Sequence, residues 1–580
     1  MCFRRIFSYC AVLVFGLGAY VPAALAQSNT SPTGPDSLSP TQTQQLIERM
    51  AQNERAIIRQ VSERAPLVET YLQVYGANGD GLVDDRYYVS RVREGKGLLN
   101  DIFVEPSDVV AGRTSKKASF REHLGHFTQL TIEHRPLTYD AVGFMELLGP
   151  DIHGFSPGRY RFQYLGTEYL GDVRTAVFNV EPKHSGLFNG RIWVESDGNL
   201  VRFTGRFTPG SSESRDHPRY VHFDSWRTNV GSGLWLPSSI YVEQKLLSGE
   251  IHGQVRLWGY GLIENQRKAG DHVSVTIDNA VDRTDSGADV DPLTALREWS
   301  RMGSANALEK LQHAGLLSPA GGFDTVLDQI ATNIIIPNNL SFDAPVHCRV
   351  LLTTPIEALT VGSTIVLSKG LIESLPNEES IASVIAFELA HLSTDGNKRD
   401  ARYSFADATN FSDSSMYRKM PLAHSEEQNV RAAELAVSYL RKSMYTDKLT
   451  SVGLYYRQME AVAGRLKCLY LPSVGDSLVS PEGRPWLLSK MLDIAPHLSP
   501  GDTSQVAALP LGSNLLVDAW TGQVSLNTAP RPAPEFSYEK RPFEVMPVYY
   551  RLRASHVDLI ERENHTPALA GADAAGGSSR

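Results

Sequence analysis

The run Phe387-Glu388-Leu389-Ala390-His391 carries the clearest chemical pattern in the chain. It matches His-Glu-x-x-His except that Phe387 stands in place of the first histidine. In the intact pattern, two histidines one helical turn apart hold a zinc ion, and the glutamate acts as general base toward water. Glu388 and His391 are therefore the candidate base and the candidate metal ligand. Phe387 has no donor atom, so one ligand position is lost.

The segment 377–396 is predicted to be the helix that positions these residues. Asn377 is a good N-cap, Glu378 and Glu379 suit the positive end of a helix, and Gly396 suits its C-terminal end. At about 100° per residue, one face is an apolar stripe. The stripe consists of Ile381, Val384, Ile385 and Leu392. Glu388 falls in the middle of it, where a carboxylate needs a hydrogen-bonding or charged partner.

Three blocks in order give this region a family resemblance. Residues 354–371 look like an active-site edge strand, a hairpin and a Gly-Leu entry to a helix. Residues 384–391 have the sequence VIAFELAH. In the later segment 429–445, the residues expected to face inward recur at the spacing of a second helix. Over about 330–450 the chain resembles the gluzincin peptidases typified by the HtpX heat-shock protease and the CAAX prenyl protease. The resemblance implies a zincin-like, mainly helical metalloendopeptidase fold with zinc as the family's cofactor.

The departures from that family lie at the metal. Position by position, Phe387 replaces the first histidine ligand, His391 keeps the second, and Asn429 replaces the glutamate ligand. The supporting aspartate of the second helix is Ala433. Catalytic zinc takes three protein ligands and a water, so we expect zinc to be absent at these positions. The resemblance thus indicates an inactive pseudo-peptidase that binds a polypeptide or a lipidated protein.

Other interpretations of the same residues stay open. His424 or His347 could approach Glu388 and His391 and rebuild a metal site, giving an active zinc metalloendopeptidase with Glu388 as base. Alternatively, His391 is a core histidine bonded to Glu388 or to a backbone carbonyl, and Glu388 is satisfied by local donors. Under a third hypothesis the chain is a lipid or hydrophobe carrier that acts through its N-terminal half.

That N-terminal half has the pattern of antiparallel β structure. After a helix predicted over 43–63, alternating runs separated by Gly, Pro and Asn turns extend from about 85 to 280. Residues 196–199 (Ser-Asp-Gly-Asn) join two such runs as a hairpin, and residues 78–85 favour a hairpin turn over a calcium loop. The stretch 188–195 resembles the lipoprotein-carrier fold of the LolA/LolB type, which implies an open half-barrel with an apolar concave face.

Composition and the N-terminus limit the compartment and the partners. Lys and Arg total 56 and Asp and Glu 65, a net charge of −9, so nucleic acid is excluded as a first choice of partner. Arg4 and Arg5, an apolar run and Ala24-Leu25-Ala26 predict a signal peptide, with an uncleaved membrane anchor as the alternative. We therefore expect a periplasmic or secreted protein, with proximity to a membrane surface and an undefined oligomeric state. Of the four cysteines, only Cys348 and Cys468 lie beyond that signal. They are expected either to form a disulfide or to be reduced and buried.

The predicted class is α+β and multidomain: a β half-barrel-like domain followed by the zincin-like domain with its edge-strand hairpin. The predicted order along the chain is signal peptide 1–26, linker 27–42, helix plus β domain 43–282, linker 283–292, peptidase-like domain 293–465, mixed C-terminal region 466–567 and disordered tail 568–580.

Overall fold

The computed structural model describes residues 38–526, apart from 77–81, 93–98, 105–154, 186, 208–220, 232, 247–248, 263–291, 396–416, 418–419, 421, 473 and 499–514. The predicted signal peptide, most of the linker that follows it, the second linker and the C-terminal tail lie outside the described residues. In the described part, no helix is both long enough and apolar enough to cross a bilayer.

One antiparallel sheet of ten strands dominates the first half of the chain. Its strands are β1 (Leu67–Gly76), β2 (Leu82–Val92), β3 (Leu99–Val104), β4 (Tyr160–Leu170), β5 (Val173–Pro182), β6 (Phe188–Glu195), β7 (Leu200–Phe207), β8 (Val221–Asn229), β9 (Trp235–Leu246) and β10 (Gly249–Trp258). Their order is β3-β2-β1-β10-β9-β8-β7-β6-β5-β4, so β3 and β4 are the edges and the described sheet is not a closed barrel. The predicted α+β class and antiparallel texture are confirmed.

Turn residues set the register of this sheet. Gly198 has φ +85, a left-handed conformation that glycine adopts without a Cβ penalty, and it turns the chain between β6 and β7 as predicted. Tyr75 pairs with Leu82 across the antiparallel strands β1 and β2, and residues 78–81 of the segment considered for a calcium loop lie outside the described residues. Asp85 lies inside β2 and not in a loop.

Helix α1 (Pro40–Arg64) covers one face of the sheet. Its apolar side chains Leu46, Ile47, Met50, Ile57 and Val61 share a core with alternate residues of the strands. Polar contacts add to this packing, because Asn53 Nδ2 donates to Asn199 Oδ1 (3.1 Å) and Arg227 Nη2 donates to Glu54 Oε2 (2.7 Å). The helix therefore has a fixed position over the apolar face.

The opposite face of β1, β2 and β10 packs against the second half of the chain. Leu67, Tyr71, Tyr87 and Trp258 belong to the same core cluster as the later helices. Buried polar groups cross the boundary as well: the backbone N–H and the hydroxyl of Thr354 both donate to the Glu69 carboxylate, at 2.6 and 2.9 Å. The two halves are joined by a shared apolar core and by buried hydrogen bonds.

The second half is mainly helical. Its helices are α2 (Pro292–His313), α3 (Gly322–Ile335), α4 (Lys369–Ser374), α5 (Glu378–Asp395), α6 (Glu426–Arg441), α7 (Leu449–Ala463) and α8 (Lys467–Tyr470). A small sheet has the order β11-β13-β12-β14, from β11 (His347–Leu351), β12 (Glu357–Val361), β13 (Thr364–Ser368) and β14 (Asp476–Ser477). A hairpin of β15 (Leu515–Val517) and β16 (Val524–Leu526) follows. Cys348 and Cys468 are both free and buried, so the bridged alternative is not observed.

Candidate functional site

Helix α5 lies at the centre of the second half of the chain. Its start is capped as predicted, with the backbone N–H of Ser380 donating to Asn377 Oδ1 at 3.0 Å. The predicted apolar stripe is buried except for the half-buried Leu392, and burial extends beyond it, because every residue from Ser380 to His391 is buried, on all sides of the helix. Helices α3, α6 and α7 and the small sheet surround α5. A helix that is buried on all sides is typical of a core element, and here the buried residues include the polar side chains of Glu388 and His391.

The residues at the family's zinc positions do not fit a zinc ion. The ring of Phe387 is fully buried and meets the His391 imidazole edge-on, with centroids 4.7 Å apart and planes at 83°. Asn429 lies on the buried face of α6 with Ala432, Ala433 and Ala436, the inward orientation that was predicted. A phenyl ring and a neutral amide leave His391 as the single good ligand of that set.

The structure instead brings His391 together with residues from two other elements. His424 lies just before α6, and Asp476 begins β14. The imidazoles of His391 and His424 are stacked, with centroids 3.7 Å apart and planes at 18°. One ligand atom from each of His391, His424 and Asp476 lies within 4.8 Å of the other two. We call these three residues the His-His-Asp cluster.

Asp476 holds His424 in place within this cluster. Its Oδ1 accepts the backbone N–H of His424, and its Oδ2 pairs with His424 Nδ1, both at 2.5 Å. The exposed fraction of the Asp476 side chain is 0%, and that of the His424 side chain is 3%. A buried carboxylate bonded to an imidazole orients the ring and increases its basicity toward a cation.

Of the two histidines considered as substitute ligands, the structure places one at the site. His424 joins the cluster, whereas the His347 side chain is exposed and pairs with Asp328 at 3.2 Å. Asp476 was missed by the sequence reasoning. It lies in a two-residue strand in a region without periodicity, and no local signal identifies it.

Access to this site is restricted on the side of the predicted edge strand. That strand is β12, and β14 pairs along its start, with Glu357 opposite Ser477 and Ala358 opposite Asp476. The backbone N–H of Gly475 also donates to Glu357 Oε2 at 3.0 Å. Burial raises the pKa of Glu357 to about 7. An extended peptide therefore cannot add to the beginning of β12 without displacing β14.

Aromatic side chains concentrate on the face of the large sheet that α1 covers. The phenyl rings of Phe188, Phe203 and Phe223 contact one another with centroids 5.7 to 6.2 Å apart. Phe155 lies 5.5 Å from both Phe188 and Tyr160, and on the edge strand β4 the ring of Tyr160 lies 6.3 Å from that of the half-buried Phe162. We call this set the aromatic face.

Comparison with known proteins gives no family. No family model matches the chain, and no curated protein matches it. A structure of a LolA superfamily protein from Nitrosomonas europaea is similar at 14% identity, covering 37% of this chain and 90% of that one, with a TM-score of 0.19. A DUF1329 family protein from Desulfovibrio piger matches at 11% identity, 36% and 90% coverage and a TM-score of 0.18.

A third match is the MucA/MucB complex of Pseudomonas aeruginosa, at 10% identity, 37% and 92% coverage and a TM-score of 0.12. These likenesses cover about a third of the chain, at scores too low to assign a family or a function. These matches give no support to the HtpX-type resemblance, which stays a prediction.

Proposed function

We propose that the chain is an exported, non-catalytic binding protein that holds an acyl chain, free or attached to a polypeptide, against the aromatic face. The observation that carries this proposal is the contiguous set of aromatic rings on one side of the open sheet, which helix α1 covers in the described part of the chain. Large apolar side chains with few polar neighbours are the usual lining of hydrophobic ligand sites.

Helix α1 is the element that would admit the ligand. It lies on the aromatic face through its apolar stripe, and its polar attachments include Asn53 with Asn199 and Glu54 with Arg227. An acyl chain that replaced part of this stripe would offer the strands an equivalent apolar surface, at about 0.8 kcal/mol per buried CH₂. Displacement of α1 is therefore the conformational change that ligand binding requires.

We propose in addition that the second half does not cleave polypeptides. Phe387 fills the first ligand position, β14 occupies the start of the edge strand, and Glu388 is fully buried. Cleavage of a polymer needs an open position beside the general base, so this arrangement suits support or binding better than hydrolysis.

The carrier proposal is tested with the full chain after delipidation, titrated with a fluorescent C16 fatty acid. The informative variant is Phe162→Ser at the half-buried end of the aromatic face, and the matched control is Tyr169→Ser on the same strand, where the side chain is 68% exposed. We expect saturable binding that weakens about tenfold or more in Phe162→Ser and is unchanged in Tyr169→Ser. Absence of saturable binding in folded protein, or equal loss in both variants, would contradict the proposal.

The active-enzyme alternative makes an opposite prediction. It requires cleavage of an unfolded polypeptide that is inhibited by a chelator and abolished by Glu388→Gln. Cleavage that is inhibited by a chelator and abolished by Glu388→Gln would overturn the non-catalytic assignment of the second half. It would not affect the carrier proposal, which the fatty-acid titration tests separately.

A further inference from the structure

The His-His-Asp cluster is assembled from parts of the chain that are far apart in sequence. His391 lies on α5, His424 precedes α6 and Asp476 begins β14, and all three side chains are buried or nearly so. Ionisable side chains are rarely buried unless they are paired or bind an ion. The convergence of two imidazoles and a carboxylate in the core therefore needs a physical reason.

The donor atoms are close enough to share one ion. They lie within 4.8 Å of one another, and His424 Nδ1 and Asp476 Oδ2 are 2.5 Å apart. Ligands at about 2.0–2.2 Å from a tetrahedral zinc ion are about 3.3–3.6 Å apart, so the stacked rings of His391 and His424 would have to turn apart for both to point a nitrogen at one ion. A cation at this point takes the place of the proton between His424 and Asp476, and that proton is released to solvent.

The charges nearby match a divalent ion. Asp476 supplies one carboxylate, and Glu388, one helical turn before His391, supplies a second that is completely buried. Together these two carboxylates carry a formal charge of −2, which a divalent ion would offset in a buried site. A monovalent cation would leave a net negative charge in the core.

Asn429 is an independent indication of a ligand. Its side chain is 6% exposed, and within the described residues its Oδ1 accepts no hydrogen bond. It lies on the face of α6 that packs against α5, where a cation or a water molecule held by a cation would satisfy it. Without such a partner, a buried amide oxygen that accepts no hydrogen bond lowers the stability of the folded core.

We propose that His391, His424 and Asp476 form a structural binding site for a divalent transition-metal ion, with zinc the ion that this donor set fits best. Two nitrogens and one carboxylate oxygen favour zinc over calcium or magnesium, which prefer oxygen ligands throughout. Burial of the site is typical of a structural metal centre. The site shares only His391 with the positions implied by the family resemblance, and it does not depend on acyl-chain binding.

The test uses the full chain, purified without a metal-affinity step and dialysed against a weak chelator. We expect about one zinc per chain by elemental analysis, and a tetrahedral Co²⁺ absorption spectrum after exchange. Removing the metal with a strong chelator should lower the Tm by about 5 °C or more, and zinc should restore it.

His424→Gln and Asp476→Asn are the informative variants, and His347→Gln is the control on an exposed histidine. Loss of zinc in the two cluster variants, with one zinc retained in His347→Gln, supports the site. Folded wild-type protein that takes up neither zinc nor Co²⁺ would overturn it, as would zinc retained by both cluster variants. If Asp476→Asn fails to fold, His424→Gln decides, because glutamine keeps the size of the side chain and removes the imidazole.

Discussion

His391 and His424 stack face to face, 3.7 Å between ring centroids, although 33 positions separate them in the sequence. Asp476, paired with His424 Nδ1, fixes that ring by hydrogen bonding. The stacking thus brings together two imidazoles from distant parts of the chain, and Asp476 orients one of them.

Restoring the resembled ligand set tests whether α5 and α6 have the zincin geometry. In a His424→Gln background, which should not bind zinc, we expect Phe387→His together with Asn429→Glu to recover about one zinc per chain. The reason is that position 387 lies one helical turn before His391 on α5, and Asn429 is buried on α6, the helix that packs against α5. Elemental analysis of the dialysed proteins is the measurement. A triple variant that folds but stays free of zinc would show that these helices are not placed as in a gluzincin.

Asp85 should make stability depend on pH between about 4 and 6. Burial raises its pKa from 3.8 to about 6, although the backbone N–H groups of Cys468 and Leu469 and the hydroxyl of Tyr71 donate to it. The folded state therefore binds this proton more tightly than the unfolded state. The resulting destabilisation is absent below about pH 4, develops as the pH rises to about 6 and reaches up to about 3 kcal/mol.

Urea unfolding at several pH values from about 4 to 7 measures this effect. Asp85→Asn should flatten the pH dependence, and the exposed Asp172→Asn should not. An unchanged slope in Asp85→Asn would assign the pH dependence to other groups.

The ion pair between Glu54 and Arg227 should be sensitive to the loss of one partner. Their side chains are 3% and 2% exposed, so Glu54→Gln leaves a buried guanidinium without its counter-charge. We expect a loss of about 3 kcal/mol in the free energy of unfolding, whereas Glu54→Leu with Arg227→Met should stay within about 1–2 kcal/mol of wild type. The exposed pair Arg59 and Glu63 gives the comparison, since Arg59→Gln should change stability by less than about 0.5 kcal/mol. Similar losses in the free energy of unfolding for Glu54→Gln and Arg59→Gln would contradict the burial of the Glu54–Arg227 pair.

Gly190 should not tolerate a methyl group. A Cβ at this position would lie 2.1 Å from the Thr204 carbonyl oxygen and 2.7 Å from the Gly205 Cα, its cross-strand partner. Backbone atoms cannot move aside cheaply, so Gly190→Ala should lower stability by more than about 2 kcal/mol and disturb the aromatic face through Phe188. Gly322→Ala is the control, because a Cβ there meets nothing within 4 Å. Thermal unfolding of Gly190→Ala and Gly322→Ala measures this effect. Equal Tm values for the two variants would contradict the close backbone contact at Gly190.

Local features were predictable because they depend on neighbours in sequence. Asn377 as a cap, the inward orientation of Asn429, the hairpin at 196–199 and the antiparallel character of the first half all follow from periodicity and turn chemistry. The replacement of the first histidine of the pattern by Phe387 was equally visible in the sequence, and its interpretation as a lost ligand position stays a prediction.

The tertiary structure alone decided which residues meet at the site. His424 and His347 were equal candidates by residue type, and packing placed the first against His391 and the second in solvent. Asp476 reaches the cluster because β14 pairs with β12, a two-residue contact that no pattern encodes. Helix and strand periods are set by the covalent chain, whereas convergence of distant side chains depends on how whole elements bury their apolar faces together.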